Sequence, residues 1–389
     1  MVNNYNAVEN SEHSHKYWID CLKLAACFLV FWGHFSEVFI YKNDCFANYE
    51  GFVRLIMKSV LNGNFWVAVF CIISGYCISS KRINTFTDLI RYYIKRYFRF
   101  VLPLFLTLFF VVFLGIVVQY RTGEFPTLLQ GTWGGYYTEA DFSFKEYFKF
   151  VFLFSDTLDG PIWMIRPLFL SNCLLVTVNY FIQKLYGKKE IIWVFAVVIS
   201  LICFGLLNGL LSQSIIKYLY VFVSCLCGFC MKEVKNINIK RVFTYNKSGS
   251  LFAVIVVFIL LAFQDSLIFP MSLRNIFAIK LYSLWNIVYG VVLFSGISSI
   301  ATKCDITNTV IKKISRLSFP IYLLHWPVIC SVGSAILLYM QSLDLGKLST
   351  LLFVSINIFV LILSVIYEWV YSLLIQLSMN IKNVKTSYH

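Results

Sequence analysis

The sequence has few charged residues, and acidic residues are the scarcer kind. Only 13% of its 389 residues are Asp, Glu, Lys or Arg, whereas 59% are hydrophobic and 18% are aromatic. A soluble domain carries about 25% charged residues, so this composition excludes a soluble protein and indicates an integral membrane protein. Lys and Arg number 33 against 19 Asp and Glu, a formal net charge of +14. In a membrane protein this excess indicates basic cytoplasmic loops, and we expect no nucleic-acid partner.

Several features of secreted or modular proteins are also missing. The first sixteen residues are polar and no small-residue cleavage site follows the first apolar run, so we expect no cleavable signal peptide. The sequence contains no internal repeat and no stretch typical of a soluble domain. Most of the twelve cysteines lie inside apolar runs, where a thiol behaves as a small hydrophobic group. Even the cluster of Cys225, Cys227 and Cys230 lies in an apolar span, so we predict neither a disulfide framework nor a metal site.

What the chain has instead is a series of long apolar runs, which predict ten membrane-spanning helices. They cover approximately residues 17–40, 62–82, 100–120, 161–182, 191–209, 214–231, 250–265, 281–300, 317–340 and 350–375. Basic residues fall in every second connection, so the positive-inside rule places these connections and both termini in the cytoplasm. The predicted fold is therefore an all-α, multi-pass helix bundle in the cell's inner or plasma membrane.

The predicted organisation is one membrane domain with two short tails. A polar cytoplasmic tail covers residues 1–16, the membrane domain 17–376, and a second cytoplasmic tail 377–389. The connection at about 121–160 is predicted to be external and is rich in Gly, Tyr and Trp. It is either a lid with an interfacial aromatic belt or a surface on which sugars stack.

The first apolar run contains three ionisable residues. It reads IDCLKLAACFLVFWGHF over residues 19–35 and includes Asp20, Lys23 and His34. Ionisable groups are costly to bury in a membrane helix, so they mark candidate functional positions. Lys23 and His34 are eleven residues apart, which places them on one helix face about 16 Å apart along the axis. Either both side chains line a polar cavity, or Lys23 extends to the membrane surface and pairs with Asp20 while His34 has a structural role.

The second and third spans carry a small-residue step and a pair of arginines. Arg96 and Arg99 lie three residues apart at the cytoplasmic mouth of the third span. Their guanidinium groups either clamp phosphate groups or anchor the helix at lipid phosphates. The second span contains a short motif with small residues, Ser74-Gly75-Tyr76, which permits close helix packing.

Two later motifs place polar side chains on single helix faces. Trp163 and Arg166 share one side near the outer end of the fourth span, where the arginine needs a carboxylate, an aromatic face or a ligand. Ser318, Tyr322 and His325 are spaced by four and three residues, so they share one face of the ninth span. They form either a hydrogen-bonded relay or a polar stripe that joins helices.

Taken together and in this order, five segments resemble the membrane-bound acyltransferase-3 family. The segments are IDCLKLAACFLVFWGHF, VFCIISGYCIS, IKRYFRFVLP, GPIWMIRPLF and SRLSFPIYLLHWP. The resemblance runs from Tyr17 to about Tyr371. It implies transfer of an acyl group, usually acetyl from cytoplasmic acetyl-CoA, to a hydroxyl of a lipid-linked or cell-surface glycan such as O-antigen or capsule. Acyl-CoA, the glycan acceptor and membrane lipid are then the expected partners, and no bound cofactor is expected.

The resemblance and the chemistry together assign roles to the polar positions. Acylating a hydroxyl needs a base and groups that stabilise an oxyanion. We predict His34 as base or transient acyl carrier. Lys23, which would orient donor phosphate or stabilise charge, and Asp20 are the other catalytic candidates. The donor-binding candidates are Arg96 and Arg99, and the acceptor-binding or site-lining candidates are Ser74, Trp163, Arg166, Ser318, Tyr322 and His325.

The chain departs from the family pattern at two positions. Lys23 stands where the family has an arginine, so the charge remains but the bidentate fork is lost. Leu168 occupies a position where many members have Glu, and the chain instead resembles the branch with Trp-x-x-Arg-x-Leu-Phe. Two other functions fit the spans without the resemblance: a transporter or flippase of a glycan or lipid intermediate, and a non-catalytic membrane scaffold.

Overall fold

The computed structural model is all-helical over the residues that it describes. These are residues 17–41, 59–78, 83–122, 143–155, 160–186, 190–207, 210–233, 247–263, 279–301, 309–333, 335–336 and 345–386, and no strand occurs in these ranges. The helices are α1 (Tyr17–Ser36), α2 (Gly63–Tyr76), α3 (Phe86–Thr122), α4 (Phe144–Val151), α5 (Ile165–Tyr186), α6 (Glu190–Leu207), α7 (Gln213–Glu233), α8 (Lys247–Phe263), α9 (Ile279–Ala301), α10 (Thr309–Ser315), α11 (Ser318–Val328) and α12 (Leu345–Thr386). A 3-10 turn, Gly160–Met164, leads into α5, and π-helical turns follow α1 (Glu37–Tyr41) and α11 (Ile329–Gly333).

Each of the ten predicted spans contains a helix, but the helices differ in length. Six are long and apolar enough to cross a membrane: Tyr17–Phe39, Phe86–Leu114, Gly160–Leu185, Gln213–Glu233, Ser283–Ala301 and Lys347–Gln376. Four are apolar but shorter: Gly63–Tyr76, Ile192–Leu207, Ser248–Leu261 and Ser318–Gly333. The chain is therefore a multi-pass helical protein, while the number of ten spans and the cytoplasmic placement of both termini stay predictions.

Helix α3 begins fourteen residues before the predicted third span. Its start is a capping box: the Thr85 hydroxyl accepts from the Asp88 amide at 3.1 Å, and the Asp88 carboxylate accepts from the Thr85 amide at 3.2 Å. The segment that carries Arg96 and Arg99 is therefore helical rather than a loop. This first part of α3 is amphipathic, with charged positions between the apolar ones, so it does not form a continuous apolar run in the sequence.

Helix α2 lies at the centre of the bundle and packs against α1, α7 and α9. Its contact with α7 is close enough to require glycine on both helices. A Cβ at Gly75 would lie 1.9 Å from the Cys225 carbonyl oxygen, and one at Gly228 would lie 1.9 Å from the Ile72 carbonyl oxygen. Small residues at such a seam let two backbones approach closely, which is how helices pack in lipid.

Part of the predicted external connection is packed against the helices. In the described portion, Phe150 and Val151 of α4 are buried. Tyr97 of α3 donates to the Phe152 carbonyl at 3.4 Å, and Tyr322 of α11 donates to the Pro161 carbonyl. This portion is thus integrated into the bundle. The Gly- and Tyr-rich stretch at 123–142 and the tail at 1–16 lie outside the described residues, and α12 continues into the second predicted tail as far as residue 386.

Candidate active site

Two histidines from different helices face each other at one level of the bundle. The ring of His34, in the last turn of α1, stacks on the ring of His325 in α11, with centroids 5.5 Å apart and an interplanar angle of 18°. The edge of the Trp326 ring completes the contact, 5.5 Å from the His34 centroid at 70°. The sequence predicted both histidines as site residues, and the structure brings them together.

His325 is fully buried and its tautomer follows from its contacts. Its Nδ1 lies 2.7 Å from the Tyr322 carbonyl oxygen and 3.2 Å from the Ile321 carbonyl oxygen. Carbonyls only accept, so Nδ1 carries the hydrogen and Nε2 holds the lone pair. That Nε2 is buried and has no hydrogen-bond partner among the described residues. A proton acceptor therefore sits in an apolar layer directly beside His34.

A carboxylate that the sequence analysis did not consider also lies beside His34. Glu37 Oε2 is 3.7 Å from His34 Nδ1. The spacing of three residues was visible in the sequence, because positions i and i+3 share a helix face. It was overlooked because Glu37 lies at the end of the apolar run, where acidic residues are commonly solvated.

Both histidine-bearing helices change to a wider π-turn just beyond the ring. The turn Glu37–Tyr41 follows His34 by three residues, and the turn Ile329–Gly333 follows His325 by four. The two turns pack on each other, since a Cβ at Gly333 would lie 2.6 Å from Phe39 Cζ. Such π-turns are frequent at functional sites, where they re-aim side chains. We call the set of His34, Glu37, His325 and Trp326 the histidine layer.

Ser318 and Tyr322 share a face of α11 with His325, as predicted, and their described hydrogen bonds go to the main chain. The Ser318 hydroxyl donates to the Ser315 carbonyl at 2.7 Å, and Tyr322 donates to Pro161 and stacks on Phe70 at 6.1 Å. Each of the three side chains bonds to a main-chain carbonyl. The arrangement fits a polar stripe that joins helices better than a proton relay.

A second polar set lies where α1, α2, α3 and α7 meet. Arg96 Nη2 donates to the Ser74 hydroxyl at 3.5 Å, and its guanidinium carbon lies 5.2 Å from the centre of the Phe100 ring. Its Nε is buried without a partner in the described part of the chain. Lys232 Nζ donates to the Ile78 carbonyl at 2.5 Å, which caps the end of α2.

The N-terminal polar residues of α1 lie near this second set. Cys77, at the end of α2, interacts electrostatically with Asp20, Lys23, Arg96 and Lys232. Arg99 is exposed and interacts electrostatically with Arg96 and with Tyr371 of α12. We call the set of Lys23, Arg96, Arg99 and Lys232 the basic cluster.

The two polar sets are separated along α1. Lys23 precedes His34 by eleven residues, about 16 Å, and Asp20 precedes it by fourteen, about 21 Å. Ala26, Cys27 and Val30 lie between them and are buried. Lys23 and Asp20 therefore lie about three and four turns from the imidazole, and the stripe that joins them is interrupted by apolar side chains.

Trp163 and Arg166 take part in two parallel contacts with the start of α7. Lys217 Nζ lies 5.3 Å from the centre of the Trp163 ring, and the Arg166 guanidinium carbon lies 5.9 Å from the centre of the Tyr218 ring. The predicted need of Arg166 for a partner is thus met by an aromatic face. The contact between Lys217 and Trp163 could have been predicted from the sequence, because Lys217 is a cation inside an apolar run. The sequence analysis did not consider this residue.

Comparison with known proteins finds a family match. A family model described as an acyltransferase domain, acyltransferase 3, matches residues 16–369. No curated protein and no solved structure matches the chain.

Proposed function

The chain belongs to the acyltransferase-3 family, and from this membership we propose that it is a membrane O-acetyltransferase that acts on a glycan. In this proposal an acetyl group moves from cytoplasmic acetyl-CoA to a hydroxyl of a cell-surface or lipid-linked glycan at the cell's inner or plasma membrane. Family membership supports an acyltransferase, and donor, acceptor and acyl group are our proposal. The observation that carries it is the pairing of His34 with His325.

His34 is the base in the proposed reaction. The acceptor hydroxyl oxygen attacks the thioester carbonyl carbon while the imidazole takes the hydroxyl proton. The carbon–sulfur bond then breaks, and the proton passes from the imidazolium to the departing thiolate of CoA. Stacking against His325 and the edge of Trp326 holds the His34 ring in one orientation, which a general base requires.

The basic cluster is the proposed docking place for the donor phosphates. Its cations come from α1, α3 and α7, and Arg96 keeps a buried donor without a partner among the described residues. Guanidinium groups bind phosphate oxygens in pairs. In this proposal the acyl arm of the donor reaches His34 along α1, where the buried side chains of Ala26, Cys27 and Val30 would have to move apart to admit it. Lys23 holds phosphate at the start of this path and takes no part in proton transfer.

The pair of contacts between α5 and α7 is the proposed acceptor side. Trp163 and Tyr218 offer aromatic surface, and Arg166 and Lys217 offer hydrogen-bond donors beside it. Lys217 already covers a face of Trp163, so we assign this tryptophan to shaping the site and not to stacking on a sugar.

The test measures ester formation directly. Membrane vesicles that contain the chain are given acetyl-CoA with a labelled acetyl group, and base-labile label in the glycan fraction is counted. We expect incorporation with the wild type and loss of at least about 100-fold with His34→Ala at equal protein level, because general acid–base catalysis contributes roughly this much. Full incorporation by His34→Ala would remove the histidine layer from the chemistry.

The same vesicles separate the alternative functions. A transporter moves unacetylated glycan across the membrane whether or not acetyl-CoA is present. A scaffold tolerates both His34→Ala and the double replacement of Arg96 and Arg99 by Ala. Either result, together with unchanged ester content of surface glycans in cells that lack the chain, would refute the proposed transfer reaction.

A further inference from the structure

We propose that Glu37 is the positioning residue of His34 and selects the tautomer that accepts the substrate proton; this inference rests on the proposed function. Glu37 Oε2 lies 3.7 Å from Nδ1 of His34. A carboxylate at Nδ1 favours the tautomer with hydrogen on Nδ1, which leaves the lone pair on Nε2. The carboxylate also stabilises the imidazolium that forms when Nε2 takes a proton.

The π-turn keeps the carboxylate at this place. Glu37 is the first residue of the turn Glu37–Tyr41, directly after α1 ends at Ser36. The Ser36 hydroxyl donates to the Gly33 carbonyl at 2.8 Å, which anchors the junction. Beyond it Phe39 is buried against Gly333 of the second π-turn. The backbone of Glu37 is thus held on both sides.

The neighbouring histidine leaves the carboxylate to His34. His325 uses Nδ1–H on two main-chain carbonyls. Its ring stacks on His34 at 18°, so it meets the face of that ring and leaves the ring edge, where both nitrogens lie, to other groups. The His34 ring is therefore contacted by His325 on its face, by the edge of Trp326 and, at Nδ1, by the Glu37 carboxylate.

Burial distinguishes this contact from a solvated ion pair at a helix end. The His34 side chain is only 16% exposed, whereas Glu37 is 38% exposed. The imidazole is thus largely cut off from water that would solvate its charged form, and the carboxylate reaches it from the more open side. An exposed pair at this spacing contributes little to stability, so a purely structural role predicts a negligible effect of removing the charge.

The kinetic arm of the test uses the full-length protein in vesicles and three variants. Glu37→Gln keeps the size of the side chain and removes its charge. We expect kcat to fall about 10- to 100-fold with an unchanged KM for acetyl-CoA, less than for a fully buried catalytic carboxylate because Glu37 is partly exposed. Glu37→Asp should recover part of the loss. Glu146→Gln is the matched control, because Glu146 pairs with Lys149 at the same spacing, at 2.5 Å, on a different helix.

The spectroscopic arm needs no activity. Nitrogen-15 NMR of protein labelled in histidine, with His34 assigned from its absence in His34→Asn, reports the tautomer. We expect hydrogen on Nδ1 of His34 in the wild type and a mixture of tautomers in Glu37→Gln. If Glu37→Gln changes the tautomer but the wild type transfers no acetyl group, the Glu37–His34 pairing stands and the proposed function is refuted. Wild-type kcat in Glu37→Gln, or an unaltered tautomer, would overturn this inference.

Discussion

The basic cluster and the histidine layer are both polar sets inside an apolar bundle, but they are built in opposite ways. The basic cluster consists of long cationic side chains from three helices, and its Arg96 guanidinium keeps a buried donor without a described partner. The histidine layer consists of flat rings that aromatic neighbours and main-chain carbonyls fix in place.

This difference separates binding from chemistry. Long cations adapt to a charged ligand that enters and leaves, whereas a reacting group gains from an orientation fixed before the substrate arrives. We therefore expect changes in the basic cluster to act mainly on KM and changes in the histidine layer to act on kcat.

The largest effect is expected from adding a methyl group where α2 and α7 make backbone contact. Gly75→Ala would place a methyl group 1.9 Å from the Cys225 carbonyl oxygen, and Gly228→Ala would do the same at Ile72. The opposing atoms are backbone and cannot rotate away, so we expect a loss of about 3 kcal/mol or more of stability. The yield of monodisperse protein in detergent and its thermal midpoint measure this.

The matched control for the seam lies on the same helix. A Cβ at Gly63, the first residue of α2, would meet nothing within 4 Å. Gly63→Ala should therefore keep the yield and the thermal midpoint of the wild type. Equal tolerance of all three substitutions would show that the two helices are farther apart than described.

The next effect concerns the buried histidine of the histidine layer. His325→Phe keeps an aromatic ring against His34 but removes both nitrogens. We expect kcat to fall about 10-fold or more with little change in KM, because the bonds from Nδ1 to the Tyr322 and Ile321 carbonyls, which fix the ring against His34, are lost. Tyr322→Phe, which removes the bond to Pro161, should lower the thermal midpoint more than kcat. Full turnover in His325→Phe would reduce His325 to a packing residue.

A binding effect is expected in the basic cluster. Arg96→Ala should raise the KM for acetyl-CoA about 10-fold, since a charge-assisted hydrogen bond contributes about 1.5–3 kcal/mol. Arg99→Ala should have a smaller effect because Arg99 is exposed. Arg91→Ala is the control, as Arg91 lies on the same helix and is 69% exposed. A fall in kcat with unchanged KM in Arg96→Ala would erase the contrast between the two sets.

The smallest effect is expected at the start of α7. Lys217→Ala removes the cation over Trp163, a contact of about 0.5–1 kcal/mol, so we expect a two- to fivefold rise in the KM for the glycan acceptor. Lys184→Ala is matched to it, because Lys184 lies 5.9 Å from the centre of the Tyr180 ring in a similar contact. If both substitutions act alike on acceptor KM, the α5–α7 contacts do not form the acceptor side.

The sequence predicted individual candidate residues, whereas their grouping came from the structure. His34, His325, Arg96 and Ser74 were predicted from composition, spacing and family resemblance, and their roles stay predictions. Spacing along one helix placed Lys23 and His34 on one face, yet the structure assigns Lys23 to the basic cluster. A helical face 16 Å long passes through several layers of a bundle, so residues on one stripe need not share one site.

By itself the sequence determined an all-helical membrane protein, because a long continuous apolar run in lipid satisfies its backbone hydrogen bonds within a helix. Its five motif segments carried the resemblance to the acyltransferase-3 family, to which the chain belongs. Only the tertiary structure decided which polar groups meet. His34 and His325 are 291 positions apart, and Glu37 lies beside His34 where the π-turn begins. Such pairings depend on which helices pack side by side, and in lipid that is set by close backbone approach at residues such as Gly75 and Gly228.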